Sequence, residues 1–217
     1  MAIDSTQSGR PESRADERRL FVGMQPPPEV SQRLIRNVGA TLENGGGGLA
    51  PGMRLMAPDD LHLTLCFLGA FPEARRAALE ASLREELRGL DAPELTISGT
   101  GGFPDLDQPR VLWAGVDEER ATCGRLHVLH NRTLQAAYSM RWRSPNNERR
   151  DSLRPHLTVA RLGEEDAGEA AIHAAFGRLM FSVNWVPVEV TLFESTPDSP
   201  DERYRALASF PLVVRPG

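Results

Sequence analysis

Hydrophobic and polar positions alternate between two periods along this chain. Apolar residues first gather in Arg19-Leu20-Phe21-Val22-Gly23-Met24, stopped by Pro26-Pro27-Pro28, which predicts a strand. Pro28 suits the first turn of a helix whose apolar stripe is Val30, Leu34, Ile35, Val38 and Leu42. Gly45-Gly46-Gly47-Gly48 ends that helix in a flexible loop. Arg54-Leu55-Met56 and a strand over 62–68 follow, the latter stopped at Gly69. Pro72 opens a helix running to Leu90 that buries Ala77, Leu79, Leu83 and Leu87 beneath exposed Glu/Arg pairs. Strands are expected at 94–99 and 110–116, then a helix over 118–138 burying Leu126, Leu129 and Leu134. A polar loop at Pro145-Asn146-Asn147 leads to a strand over 156–162, a helix over 167–179 and strands at 186–195 and 204–213.

Such an order predicts an α+β fold with mostly antiparallel sheets and helices on their outer faces. It also reads as a duplication: in each half a strand beginning His-Leu-Thr is followed by a helix and a pair of strands. Residues 1–18 are polar and without apolar period, so they are expected to be a disordered tail before one folded unit, 19–217.

Composition narrows the chemistry. No apolar run approaches a membrane span and no signal peptide is visible, so the expected setting is the cytoplasm, without membrane. Cys66 and Cys123 are too few for a disulfide framework and form no metal-binding pair. A net charge of −5 argues against coating long nucleic acid by bulk electrostatics, while allowing a local basic groove. All 25 basic residues are arginine. Absence of lysine removes Schiff bases, the Walker A lysine and any lysyl-nucleotide intermediate. Phosphate must then be held by arginine, hydroxyls, histidine or backbone amides.

Two strings stand out: His62-Leu63-Thr64-Leu65 and His156-Leu157-Thr158-Val159. Since side chains alternate along a strand, His62 and Thr64 share one face, with Leu63, Leu65 and Phe67 on the other. His156 and Thr158 likewise lie opposite Leu157 and Val159. Each strand so presents an imidazole and a hydroxyl on an apolar backing. The other histidines, His127, His130 and His173, lie on predicted helices and read as structural. Two imidazoles titrating near neutrality can be charged and neutral together, one giving a proton to a leaving oxygen and the other taking one from an attacking oxygen. Both steps are needed when water opens a cyclic phosphodiester. Thr64 and Thr158 can donate hydrogen bonds to the non-bridging phosphate oxygens, where charge gathers, and arginine is their natural supplement.

Paired His-x-Thr-x strands mark the 2H phosphoesterase superfamily, which this chain resembles. The contexts Arg19-Leu20-Phe21-Val22, Leu61 to Gly69 and Arg154-Pro155-His156-Leu157-Thr158-Val159-Ala160-Arg161 are similar to its bacterial RNA 2',3'-cyclic phosphodiesterase branch, also called 2'-5' RNA ligases. The resemblance covers about 19–214, including Val111-Leu112-Trp113-Ala114-Gly115 and Val190-Thr191-Leu192-Phe193-Glu194-Ser195. It implies two pseudo-symmetric lobes, each a sheet with outer helices, enclosing a groove with one motif per lobe. It also implies metal-independent hydrolysis of RNA 2',3'-cyclic phosphate ends to 2'-phosphomonoesters, without cofactor and without an obligate protein partner, by a monomer. His62 would be the proton donor, His156 the acceptor, and Arg161 a phosphate ligand. Strict alternation places Arg161 opposite His156, so the strand is expected to twist, bulge or end there. Phe21 and Tyr204 are candidates for stacking on a base, and Arg141, Arg143, Arg149, Arg150 and Arg154 for tracking an RNA backbone. Three alternatives stay open: the same chemistry on small nucleotide or ADP-ribose cyclic phosphates, reversible 2'-5' RNA ligation, and a non-catalytic RNA-binding module.

Overall fold

The computed structural model describes residues 16–44, 52–106, 108–142, 153–163, 176–177, 181–196 and 203–215. Expectations for residues 1–15, the Gly45–Gly48 loop, the loop around Pro145 and nearly all of the 167–179 helix, His173 included, lie outside them.

Among the described residues, nine strands and three helices follow in the order β1 (Glu17–Met24), α1 (Pro28–Asn44), β2 (Arg54–Leu55), β3 (Leu63–Pro72), α2 (Arg76–Leu87), β4 (Leu95–Phe103), β5 (Val111–Glu118), α3 (Arg125–Ser139), β6 (His156–Arg161), β7 (Ser182–Trp185), β8 (Glu189–Ser195) and β9 (Tyr204–Pro211). All nine strands join one antiparallel sheet ordered β7-β4-β5-β6-β3-β1-β8-β9, with β2 beside β6. The α+β reading holds. Two groups of four strands meet at β3 and β6, which share the single pair Leu63–Leu157. Among the described residues no helix is long and apolar enough to cross a membrane.

The expected duplication is interwoven rather than sequential. The strand pair that follows the first motif, β4–β5, joins β6, the strand of the second motif. The pair that follows the second motif, β8–β9, joins β1 and β3. Each motif strand is thus completed from the other half of the chain.

Several boundaries moved for local reasons. β1 starts at Glu17, inside the expected tail, where Arg18 is held by Glu73 and by Glu194 at 3.1 Å. Gly69 does not stop β3, which runs on to Pro72 with Gly69 at φ 70°. Glu73 to Arg75 form a 3₁₀ turn, so α2 begins at Arg76 and its buried stripe is Leu79, Leu83 and Leu87. Ala77 falls outside that stripe and is exposed. Helix α3 begins later than expected because Glu118, at the end of β5, caps it. Its carboxylate accepts the amides of Gly124, Arg125 and Leu126 at 3.0, 2.8 and 3.2 Å, donors the helix cannot satisfy itself. Residues 182–185 form β7 on the edge of β4, a strand that the apolar pattern did not reveal.

The motif strands are bulged. In β3, Val22 pairs with Cys66 and Gly23 with Thr64, so Leu65 is passed over; Leu20 pairs with Gly69 and Phe21 with Phe67, so Leu68 is passed over. In β6, Leu112 pairs with Ala160 and Trp113 with Thr158, passing over Val159. A residue skipped by a ladder leaves backbone groups to be satisfied elsewhere. His130 of α3 donates Nδ1–H to the Leu65 carbonyl at 2.7 Å, Trp142 donates Nε1–H to Leu68 at 3.0 Å, and the Met56 amide donates to Val159 at 2.9 Å. Buried His130 is therefore structural, and burial, ahead of other influences, lowers its pKa.

Removing this donor should be costly. His130→Ala should lower unfolding stability by about 1–3 kcal/mol in urea titrations, the scale for orphaning a buried carbonyl. The unfolded imidazole takes up a proton at higher pH than the folded one. The wild-type protein should therefore lose stability as pH falls below the ordinary histidine range, and His130→Ala should reduce that loss.

Candidate active site

Leu63 and Leu157 are both fully buried, and as antiparallel partners they set the registers of the two motifs. Antiparallel geometry around this pair brings His62 level with Thr158, and Thr64 level with His156. Pairing stops there, and the four polar side chains face one cleft of about 220 Å³. Arg19, Leu20, Phe21, Phe67, Gly69, Arg161, Ser195 and Tyr204 complete its lining.

The two imidazoles are held the same way. His62 Nδ1 lies 2.8 Å from the Asp60 carbonyl, and His156 Nδ1 lies 2.7 Å from the Arg154 carbonyl, in each case two residues back. A carbonyl only accepts, so Nδ1 carries the hydrogen in both rings and Nε2 is the nitrogen able to exchange protons with a bound molecule. Nε2 with a lone pair is a base, and protonated it is an acid.

The bulges bring residues into the cleft that simple alternation sends to the core. With Val159 skipped, Val159 and Ala160 are both buried and Arg161 turns to the His156 side. With Leu65 skipped, Leu65 and Cys66 are both buried and Phe67 turns to the His62 side, not to the apolar face assigned by alternation. Phe67 and Arg161 hold equivalent places, five residues after their histidines, and differ completely in chemistry.

That difference extends to the surroundings. The His62 ring lies 4.6 Å from Phe21 and 4.7 Å from Tyr204, which meets it edge-on. Phe21 is 4% exposed and stacks at 5.0 Å on Phe193, so it is enclosed between that ring and His62. Such a position supports an imidazole and leaves little face for a base. Tyr204 is more open and borders the cleft. His156 instead has Phe103 at 5.0 Å, edge-on, and Trp113 at 6.1 Å. The Trp113 ring occupies the space a Cβ would need at Gly101 on the neighbouring strand. Burial pushes His62 from 6.5 down to about 4; the hydrogen bond to Asp60 opposes this, and the charges of His156 and Arg161 add to it.

Phe67, Phe103, Arg19 and Ser195 are cleft or near-cleft residues that the sequence pattern did not assign there. Phe67 was hidden by the bulge and Phe103 by its distance from both motifs, whereas Arg19 shares a strand face with Phe21 and was open to the alternation argument. Of the arginine run, Arg141 and Arg154 are described, and Arg143, Arg149 and Arg150 lie outside the described residues.

Known proteins resemble this chain in sequence and in fold. The sequence pattern described as the 2'-5' RNA ligase superfamily matches residues 26–198. A protein of Geobacillus stearothermophilus named RNA 2',3'-cyclic phosphodiesterase is 32% identical over 162 residues, covering 73% of this chain but 47% of its own length. The chain thus spans about half of that relative. One of the same name from Archaeoglobus fulgidus is 30% identical over 154 residues, covering 71% of this chain and 78% of its own. Among solved structures, Escherichia coli LigT complexed with 3'-AMP superimposes with a TM-score of 0.64 at 26% identity, covering 90% of this chain and 98% of that one. The Thermus thermophilus protein TT0787 gives 0.65 at 25% identity, with 89% and 97% covered.

In the ligand-free protein, NMR titration of the imidazole nitrogens should find His62 with a midpoint near 4, well below a free histidine. Arg161→Gln should raise that midpoint, because it removes a cation that disfavours the charged ring. A His62 midpoint at or above 6.5 would contradict the enclosed site.

Proposed function

The chain belongs to the 2'-5' RNA ligase superfamily, and on that premise we propose that it is a metal-independent RNA 2',3'-cyclic phosphodiesterase. One observation carries the reading: two imidazoles with backbone-fixed Nδ1 atoms face one cleft, each level with the other motif's threonine. Water attacks the phosphorus while His156 Nε2 takes its proton. The bond from phosphorus to the 3'-oxygen breaks, and that oxygen receives the Nε2 proton of His62, leaving a 2'-phosphomonoester. Thr64 and Thr158 donate hydrogen bonds to the non-bridging oxygens, and the Arg161 guanidinium meets the charge that gathers on them.

An acid whose free pKa is about 4 must be recharged to act near neutrality. The substrate supplies the means. A phosphate anion beside His62 raises its pKa, working against burial, the main cause of the depression, and against the Arg161 charge. The assignment of donor and acceptor follows the family resemblance, and the unlike surroundings of the two rings are compatible with it. A 5'-hydroxyl attacking in place of water would form a 2'-5' linkage by the same steps, and the reversibility of that exchange accounts for ligase activity without an energy source.

Incubation of the protein with an oligoribonucleotide ending in a 2',3'-cyclic phosphate, with EDTA present, should yield a 2'-phosphate end. A 3'-phosphate product, or activity that returns only with a divalent ion, would overturn the reading. His62→Ala and His156→Ala should each lower kcat by at least about a hundredfold, the ordinary worth of a positioned acid or base, with circular dichroism unchanged. The kcat/KM profile should rise and fall with pH, and the alkaline limb of kcat should lie at higher pH than that of kcat/KM. An unshifted limb would mean that bound phosphate does not recharge the acid.

A further inference from the structure

The cleft continues beyond the two motifs. Along β1, Arg19, Phe21 and Gly23 share the face turned to it, and Gly23 is the strand partner of Thr64. Arg19 stands four positions further along, a separation of roughly 13 Å at ordinary strand rise. Gly69 and Ser195 border the cleft with it. Gly69 has no side chain to narrow that end, and Ser195 brings a hydroxyl.

Two neighbouring cations are already engaged. Arg18 is paired with Glu73 and Glu194, and Arg205 is paired with Glu194, a residue 4% exposed. Arg19 is exposed and has no ion-pair partner among the described residues. An unpaired guanidinium at the mouth of a cleft attracts an anion. This backbone separation sets Arg19 toward the end of the cleft away from the strand partner of Thr64. About 220 Å³ is also small for a whole nucleotide ligand, so a substrate seated in the cleft extends out of it.

We propose that Arg19, with Ser195 beside it, binds a phosphodiester of the RNA strand upstream of the reacting cyclic end, and so selects oligoribonucleotides over nucleoside 2',3'-cyclic phosphates. This rests on the proposed cyclic phosphodiesterase activity. Recognition is of backbone charge and leaves base identity unread. A mononucleotide reaches the histidines but has no group to place at Arg19.

The test compares wild type with Arg19→Gln, which keeps part of the side chain's packing and removes its charge. Each is assayed on an oligoribonucleotide with a 2',3'-cyclic end and on a nucleoside 2',3'-cyclic phosphate. The ratio of the two kcat/KM values should fall about fivefold to tenfold in the variant. Binding of a 5'-labelled oligoribonucleotide ending in 2'-phosphate, followed by anisotropy against salt, should lose about 0.7 from its log–log slope, one single-strand phosphate contact. Arg19→Lys should restore most of the slope. An unchanged ratio and slope would overturn the proposal, as would equal losses on both substrates. Failure of the wild-type protein to cleave either substrate would instead sink the underlying activity.

Discussion

One extra residue at the fourth position of each motif governs the site. A strand that kept strict alternation after His-Leu-Thr would turn the fifth residue after histidine into the core. Skipping Leu65 in β3 and Val159 in β6 lets two successive apolar residues be buried, Leu65 with Cys66 and Val159 with Ala160, before alternation resumes in the opposite phase. Phe67 and Arg161 then return to the cleft. Bulges are kept only where their displaced backbone groups find partners. Here His130 serves Leu65 and Met56 serves Val159, while Trp142 serves Leu68, the second residue skipped in β3. The site is therefore held from behind by groups that never touch it.

Pseudo-symmetry supplies the two imidazoles, and its breakdown makes them unlike. Both rings donate Nδ1–H to the carbonyl two residues back, and both motifs carry their bulge at the fourth position. A symmetric pair would favour neither ring as acid or as base. Aromatic rings of Phe21 and Tyr204 enclose one imidazole, whereas the equivalent of Phe67 beside the other is Arg161. Enclosure disfavours charge on His62, so in the proposed reaction its protonation depends on an anion bound in the cleft.

Much of this was legible from local pattern. The spacing of histidine and threonine specified a shared face, and proline and glycine marked most element ends. The fold class followed from element order. Other features depended on partners far away in sequence. Glu118 delays the start of α3 by capping it, a role that an acidic residue at a strand end does not announce. Phe67 read as a core residue because a bulge has no signature in alternating apolar letters. The exchange of β4–β5 and β8–β9 between motif strands could not be read either, since strand order in a sheet is set by long-range pairing. Phe21 illustrates the opposite limit: its closeness to the site was foreseeable, but its enclosure by Phe193 and His62 was not.

Interweaving has a mechanical consequence. Had each half of the chain built its own lobe, the cleft would lie between two sheets free to shift against each other. Instead β3 lies between β1 and β6, and β6 between β3 and β5, with the two motifs touching at Leu63 and Leu157. That contact is buried, lies between histidine and threonine in each motif, and belongs to both groups of strands at once. A displacement of either group moves the leucine pair and both imidazole–hydroxyl faces with it. The geometry that the proposed proton transfer needs is thus coupled to the continuity of the whole sheet, which is how two short motifs far apart in sequence keep a common register.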